Sequence, residues 1–294
     1  MSWRIVVISN RAKLDLQLGY LVVRGETVQK IHLSEISLLM IESTAVSLTA
    51  ALLAELTKLK IKVIFCDERR NPSSELIPYY GAHDTSNKVR TQIAWKDEIK
   101  GNVWCEIVRN KILNQARVLA MAGHSEANML KEYADELHFN DETNREGHAA
   151  KVYFNALFGM GFSRAEDNTI NAALNYGYSI LLSACNREIT ANGYITQLGV
   201  HHSNVFNSFN LGSDMMEAFR PFVDNKVLEL SNLGMLENFE KSQKMAVVEV
   251  LNGDVLIESK IYSLNYAVKI YIKNVFRALN DDDVSLISPC CFKE

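Results

Sequence analysis

Proline is scarce in this chain, at 4 of 294 residues, and beyond residue 90 only Pro221 and Pro289 occur. Little there stops long helices, since proline is the strongest helix breaker. Long hydrophobic runs are missing too. None approaches the roughly 20 apolar residues that a membrane span needs, and the opening MSWRIVVI is too short for a signal peptide and lacks a small-residue cleavage site. It reads as a strand. The five cysteines (Cys66, Cys105, Cys185, Cys290 and Cys291) are odd in number, scattered and without C-x-x-C spacing. That excludes a disulfide framework or a cysteine zinc site and places the chain in a reducing cytoplasm. The adjacent Cys290 and Cys291 lack the second pair that such a site would need.

A positive excess is absent as well. Lysine and arginine total 31 against 35 acidic residues, for a net charge of −4, which does not advertise a nucleic-acid binder. Any grip on phosphate must come from local patches. Two candidates are the cluster Lys58, Lys60, Lys62, Arg69 and Arg70, and the trio Arg109, Lys111 and Arg117 on an expected helix. What is present in quantity is core-forming material. At 48% apolar and 22% charged the chain folds rather than staying disordered, and its length suits two domains.

The periodicity divides the chain. Residues 3–8, 12–16, 19–24 and 28–41 are rich in Val, Ile and Leu, with Gly19 and Gly25-Glu26 placed for hairpin turns. Leu48, Leu52, Leu56 and Leu59 recur at helical spacing behind Ser47 or Thr49 as a cap, and Ile61 to Cys66 reads as a buried strand. This β-rich part closes at Pro78 to Gly81. Residues 82–90 are polar and carry no apolar stripe, so they read as a linker. From Thr91 the period changes to that of helices, expected near 91–122, 124–137, 143–159, 167–191, 212–220 and 238–251. Gly253 is the expected C-cap of the last, because Met245, Val248 and Leu251 follow helical spacing. Three segments result: a β-rich domain at 1–81, a linker at 82–90 and a helical domain at 91–294. The fold class is α+β, with a small β domain followed by a larger all-α domain.

One stretch of the helical half carries chemistry. In LGVHHSNVFNSFNLGSDMMEAFRPFVD, His202 precedes Asp214 by twelve residues and Glu217 by fifteen. Asp214, Glu217 and Arg220 can share a helix face. A loop histidine meeting a helical carboxylate suits a hard or borderline divalent cation. A further anionic ligand is on offer at Glu146, in the first turn of an expected helix. Alternatives exist for each residue. Thr143-x-x-Glu146 has the pattern of a capping box, a lone histidine is more often a satisfied surface or core group, and Glu217 by itself fits a solvated helix face. His148 competes with Glu146 from two residues on, and His201 with His202.

LGVHH, DMMEAFRPFVD and the upstream EGHAAKVYF together resemble the CRISPR-associated spacer-acquisition integrase family, the large subunit that inserts new spacers into CRISPR arrays. In the family pattern, L-G-x-x-H is followed after twelve residues by the aspartate of D-L-M-E-x-F-R-P-x-V-D, which makes His202 the counterpart of the family histidine. Asn171 to Tyr178 and the strands of the first 66 residues also match, and Pro78 to Gly81 is most similar to the version found in type II systems. The resemblance implies a sandwich-like N-terminal domain that takes part in a homodimer. It further implies Mg²⁺ or Mn²⁺ held by Glu146, His202 and Glu217, with Asp214 in an auxiliary role. The implied reaction joins a 3′-hydroxyl of spacer DNA to a CRISPR repeat by transesterification, and the implied partners are double-stranded DNA and a small ferredoxin-like CRISPR-associated subunit bridging two dimers. A non-catalytic DNA-binding scaffold of the same fold, or a stand-alone metal-dependent nuclease acting on branched DNA, are the alternatives.

Overall fold

The computed structural model describes residues 4–79 and 82–293 and divides into two compact units, with the boundary between His83 and Asp84. The first unit holds β1 (Arg4–Ile8), β2 (Ala12–Gln17), β3 (Tyr20–Arg24), β4 (Val28–His32), β5 (Ile36–Ile41), β6 (Val46–Leu48), α1 (Ala50–Lys58), β7 (Lys62–Cys66) and β8 (Pro72–Glu75). Its strands form two four-stranded sheets, ordered β1-β5-β7-β8 and β4-β3-β2-β6. The β2–β3 hairpin turns on Leu18 and Gly19, both with positive φ, the geometry a two-residue turn between twisted strands requires. Every residue of β5 is buried, because it is a central parallel strand with β1 on one side and β7 on the other. Leu14 and Leu21 of one sheet, Ile36, Leu39 and Val63 of the other, and Leu52 and Leu56 of α1 share one apolar core. Thr49 is the cap of α1, its side chain accepting from Leu52 N. The expected close at Pro78 to Gly81 lies partly outside the described residues.

The second unit is helical: α2 (Thr85–Ile93), α3 (Asp97–Met121), α4 (Ala127–Asp135), α5 (Arg145–Phe158), α6 (Thr169–Ala191), α7 (Asn210–Met216), α8 (Arg220–Asn232), α9 (Lys241–Val248) and α10 (Leu264–Asp281). Three differences from the sequence expectation stand out. The polar stretch 82–90 is helical from Thr85. Its helix has no apolar stripe because its one buried residue is Gln92, an amide that donates to the Ile195 and Leu198 carbonyls, both at 2.9 Å. Second, the helical unit also carries a small antiparallel sheet, β10-β9-β11, formed by β9 (Asp254–Ile257), β10 (Lys260–Ser263) and β11 (Cys291–Phe292). Its hairpin turns at Glu258 and Ser259, both left-handed, while Gly253 has φ −63° and is no left-handed cap. Third, the helix expected over 212–220 is divided by the 3₁₀ turn Glu217–Phe219, and Pro221 opens a new helix rather than ending one. It sits at the start of α8, where the missing N–H costs nothing.

The long α3 organises this unit. Its Ile99, Val103, Trp104, Ile107, Val108, Ile112, Val118 and Leu119 are all buried, so packing reaches it from several sides. Asn110 and Asn114 of α3 hold the Cys290 carbonyl at 3.0 and 2.7 Å. Cys290 is thus tied into the fold, and burial pushes its thiol up. None of the five cysteines is in a disulfide. Among the described residues no helix is long and apolar enough to cross a membrane.

Candidate functional site

Trp104 and Lys111 lie seven residues apart on α3, two turns along one face. That face becomes the floor of the candidate site. The lead-in to α5 is pinned against it: the Cys105 thiol donates to the His138 carbonyl at 3.0 Å, and the Phe139 ring lies where a Cβ at Gly101 would be. The chain then passes through left-handed Asn140, Asp141 and Asn144, residue types that tolerate this region. The contortion turns the Asp141 carboxylate onto the first turn of α5, where it accepts from Arg145 N at 2.7 Å and Glu146 N at 3.0 Å. The capping box expected between Thr143 and Glu146 therefore does not form. The N-cap residue is Asn144, without a side-chain cap bond. Asp141 takes over the capping role, and the Glu146 side chain is released to reach inward, where it accepts from the Lys111 ammonium.

Glu217 reaches the same nitrogen. It sits in the single 3₁₀ turn between α7 and α8, is 3% exposed, and accepts from Lys111 Nζ at 2.6 Å through one oxygen and from Arg220 at 2.8 Å through the other. Burial by itself would raise the Glu217 carboxyl, but Lys111 and Arg220 outweigh it and hold it below the ordinary carboxylate value. Burial would likewise lower the Lys111 ammonium, and Glu217 and Glu146 overcome that to raise it. Arg220 in turn lies over the Tyr178 ring at 4.6 Å. Tyr178 donates to Asp224, whose carboxyl burial pushes up to about 6 despite that bond and the nearby Arg220. The RPFVD part of the motif thus braces Glu217 from behind.

The histidine loop is built on Asp214, which is fully buried. One of its oxygens accepts from Val200 N at 2.5 Å and His201 N at 3.2 Å, the other from His202 N at 3.0 Å and His202 Nδ1 at 2.6 Å. With this carboxylate as acceptor Nδ1 carries the proton, leaving the Nε2 lone pair to face a ligand. The Asp214 hydrogen bond raises the His202 imidazole above its usual value against the effect of burial, and the charges of Asp214, Glu217 and Glu146 act in the same direction. Gly199 is required here, because a Cβ would come within 2.7 Å of Asp214 Oδ2 and closer still to the His202 carbonyl. His201 stacks flat on Trp104, with centroids 4.2 Å apart, and His202 meets the same ring edge-on at 5.7 Å.

Of the residues singled out in the sequence, Glu146 and Glu217 converge on Lys111, and His202 is held beside them on Asp214. His148 is exposed, its ring near Tyr133. Among the described residues no three His, Cys, Asp or Glu side chains stand close enough to share a metal ion. Lys111 is the residue that sequence reasoning placed wrongly, in a phosphate-gripping surface patch, whereas it is 7% exposed and sits between the carboxylates. The available signal was its spacing, since Ile107, Val108 and Asn114 at i−4, i−3 and i+3 are all buried. Lys62 of the other patch is also buried, paired with Glu75.

Comparison with known proteins identifies the family. The family model described as CRISPR associated protein Cas1 matches residues 5–252. The chain is 35% identical over 272 residues to the CRISPR-associated endonuclease Cas1 of Neisseria meningitidis serogroup C, covering 91% of this chain and 89% of that one. Among solved structures it is similar to a casposase bound to integration product, with TM-score 0.79, 17% identity, and coverage of 97% of this chain and 93% of that one. It also matches a chain of a Cas6-RT-Cas1–Cas2 complex with TM-score 0.74 and 17% identity, covering 97% of this chain but spanning only 36% of that longer one. A family match over most of the length, a relative of this identity, and a β-sheet unit followed by a helical one lead to a single conclusion: the chain belongs to the Cas1 family of CRISPR-associated proteins.

Proposed function

We propose that this protein is a metal-dependent DNA integrase and endonuclease that inserts spacer DNA into a CRISPR array, by resemblance an array of a type II system. The observation that carries this reading is the meeting of Glu146 and Glu217, from separate helical elements, on one cationic nitrogen, with His202 held beside them by Asp214. Two carboxylates and an imidazole nitrogen are the donor set that Mg²⁺ or Mn²⁺ accepts while keeping positions for water and phosphate. The two carboxylates already accommodate positive charge between them, so the donor chemistry fits. The ion, when bound by Glu146, His202 and Glu217, would polarise a phosphodiester and balance the charge that builds on its oxygens.

The chain's own residues do the rest. Asp214 fixes the His202 ring and its tautomer. Arg220 and the Tyr178–Asp224 pair behind it hold Glu217 in place. In the reaction a 3′-hydroxyl oxygen of the incoming DNA forms a bond to phosphorus, the bond from phosphorus to the target strand's 3′-oxygen breaks, and that oxygen leaves as a new 3′-hydroxyl. Hydrolysis is the same step with water as nucleophile. By resemblance the protein acts as a homodimer on double-stranded spacer precursor and repeat DNA, together with a small ferredoxin-like CRISPR-associated subunit. The casposase's bound integration product and the presence of Cas2 in the matched complex support those two partners. Strand transfer into a supercoiled repeat-bearing plasmid tests the proposal. Mg²⁺ or Mn²⁺ should be required, and undiminished integration in excess EDTA would refute it.

A further inference from the structure

Lys111 has no part in the reaction just described, yet it holds the most central position in the site. Its ammonium hydrogen-bonds Glu146 and Glu217 together, and Arg220 takes the remaining oxygen of Glu217. Two carboxylates within reach of one nitrogen, one of them buried, do not both stay ionised without a counter-cation. Counting these four groups, two negative charges face two positive ones, so the two carboxylates are already balanced. A divalent ion entering the site would meet an ammonium at the point where both carboxylates aim. The ion and the ammonium cannot both sit between the same oxygens.

We infer that Lys111 is a resident counter-cation that competes with the divalent ion for Glu146 and Glu217, so that metal occupancy is weak until DNA phosphate is present. The inference rests on the metal reading proposed above. Its physical basis is charge balance. Displacing the ammonium from the carboxylates leaves a positive group that needs a new anionic partner, and a phosphodiester entering the site supplies one. DNA and metal therefore enter cooperatively, and the coupling is reciprocal. The protein alone keeps its carboxylates neutralised and assembled without carrying a loaded nuclease centre. Lys111 acts here as a positioning residue. Its side chain follows the occupancy of the site.

The experiment uses the metal-stripped full chain and Mn²⁺ alone as probe, with free Mn²⁺ read by electron paramagnetic resonance. Wild type is compared with Lys111→Met, without DNA and with a short branched duplex. Lys111→Met should bind Mn²⁺ without DNA more tightly than wild type by about tenfold or more, since one close positive charge is gone. Wild-type affinity should rise on adding the duplex, and that of Lys111→Met should rise much less. The metal-free melting temperature of Lys111→Met should fall, and Mn²⁺ should restore more of it than it adds to wild type. Should Lys111→Met fail to fold, Lys111→Gln removes the same charge while keeping a donor for one carboxylate, and the same tighter binding is expected. Equal Mn²⁺ affinity in wild type and a folded Lys111 variant without DNA overturns the inference and leaves the metal reading standing. Absence of Mn²⁺ binding in every protein, with and without DNA, overturns both.

Discussion

The two units bury different kinds of residue. The N-terminal core is built from Leu14, Leu21, Ile36, Leu39, Leu52, Leu56 and Val63, with charge admitted only sparingly, as in the pairing of Lys62 with Glu75. The helical unit buries Lys111, Asp214, Glu217 and Asp224 along with a set of amides. Burying ions costs more than burying hydrocarbon, and a well-packed apolar replacement is often as stable or more so. The first core therefore answers mainly to packing, its buried Lys62 and Glu42 each held in an ion pair. The second gives up stability to hold a constellation, and that is where the proposed chemistry lies.

The largest effect that would sharpen this contrast is on activity. Glu146→Gln should lower strand transfer by about 10²–10³-fold or more, on the scale of losing a key electrostatic group. Its melting temperature should fall only modestly, because Asp141 and not Glu146 caps α5 and Lys111 keeps Glu217 as a counter-charge. His202→Ala and Glu217→Gln should show similar activity losses, and pairs of these changes should add little further, as for groups that act as one unit. Near-wild-type integration by Glu146→Gln would remove that residue from the site.

The converse substitution belongs to the other core. Leu39→Ala removes a fully buried side chain and should cost about 2–5 kcal/mol in denaturant unfolding, while strand transfer per folded molecule stays close to wild type. A large activity loss among molecules shown to be folded would blur the distinction between the units.

A smaller effect lies behind the site. Burial raises the Asp224 carboxyl to about 6, above the ~3.9 of an unfolded aspartate, so the folded state holds its proton more tightly. The stabilising share is complete below pH about 4 and is lost as pH rises through about 6. Asp224→Asn, which cannot titrate, should therefore gain on wild type between pH 4 and 7, by about 3 kcal/mol at most. Melting temperature against pH measures it, and parallel curves would show that Asp224 carries no such strain. Smallest of all, Lys58→Ala breaks an exposed pair with Glu55 and should change stability by less than about 0.5 kcal/mol. A larger shift in thermal unfolding would mean that this surface does more than meet solvent.

Much of this contrast was legible before the coordinates. Runs rich in Val, Ile and Leu marked the β-rich unit, the family resemblance implied its sandwich form, and the spacing of His202, Asp214 and Glu217 pointed to the candidate site. What escaped did so for local physical reasons. Helix α2 lacks an apolar stripe because Gln92 is buried for its amide, which also accepts from Ile195 N at 3.0 Å. Lys111 was hidden by its residue type, since lysine is seldom buried unless paired, and its partners are 35 and 106 residues away. The capping box at Thr143 was mimicked in sequence and replaced in space by Asp141. Helix α10 received no assignment, although Leu264, Ala267, Val268, Tyr271, Ile272, Val275 and Leu279 form a regular buried stripe. That stripe was readable, and the short hairpin before it broke the helical period that precedes it.

The Asp214 clasp has a consequence for motion. Loop amides ordinarily trade hydrogen with solvent quickly, because nothing but water satisfies them. The amides of Val200, His201 and His202 all end on one fully buried carboxylate. Their exchange should be as slow as that of a helix interior, and slowest at Val200, whose bond is the shortest of the three. The segment that presents the imidazole is irregular in shape and stiff in time. The ring is therefore aimed before any ligand arrives.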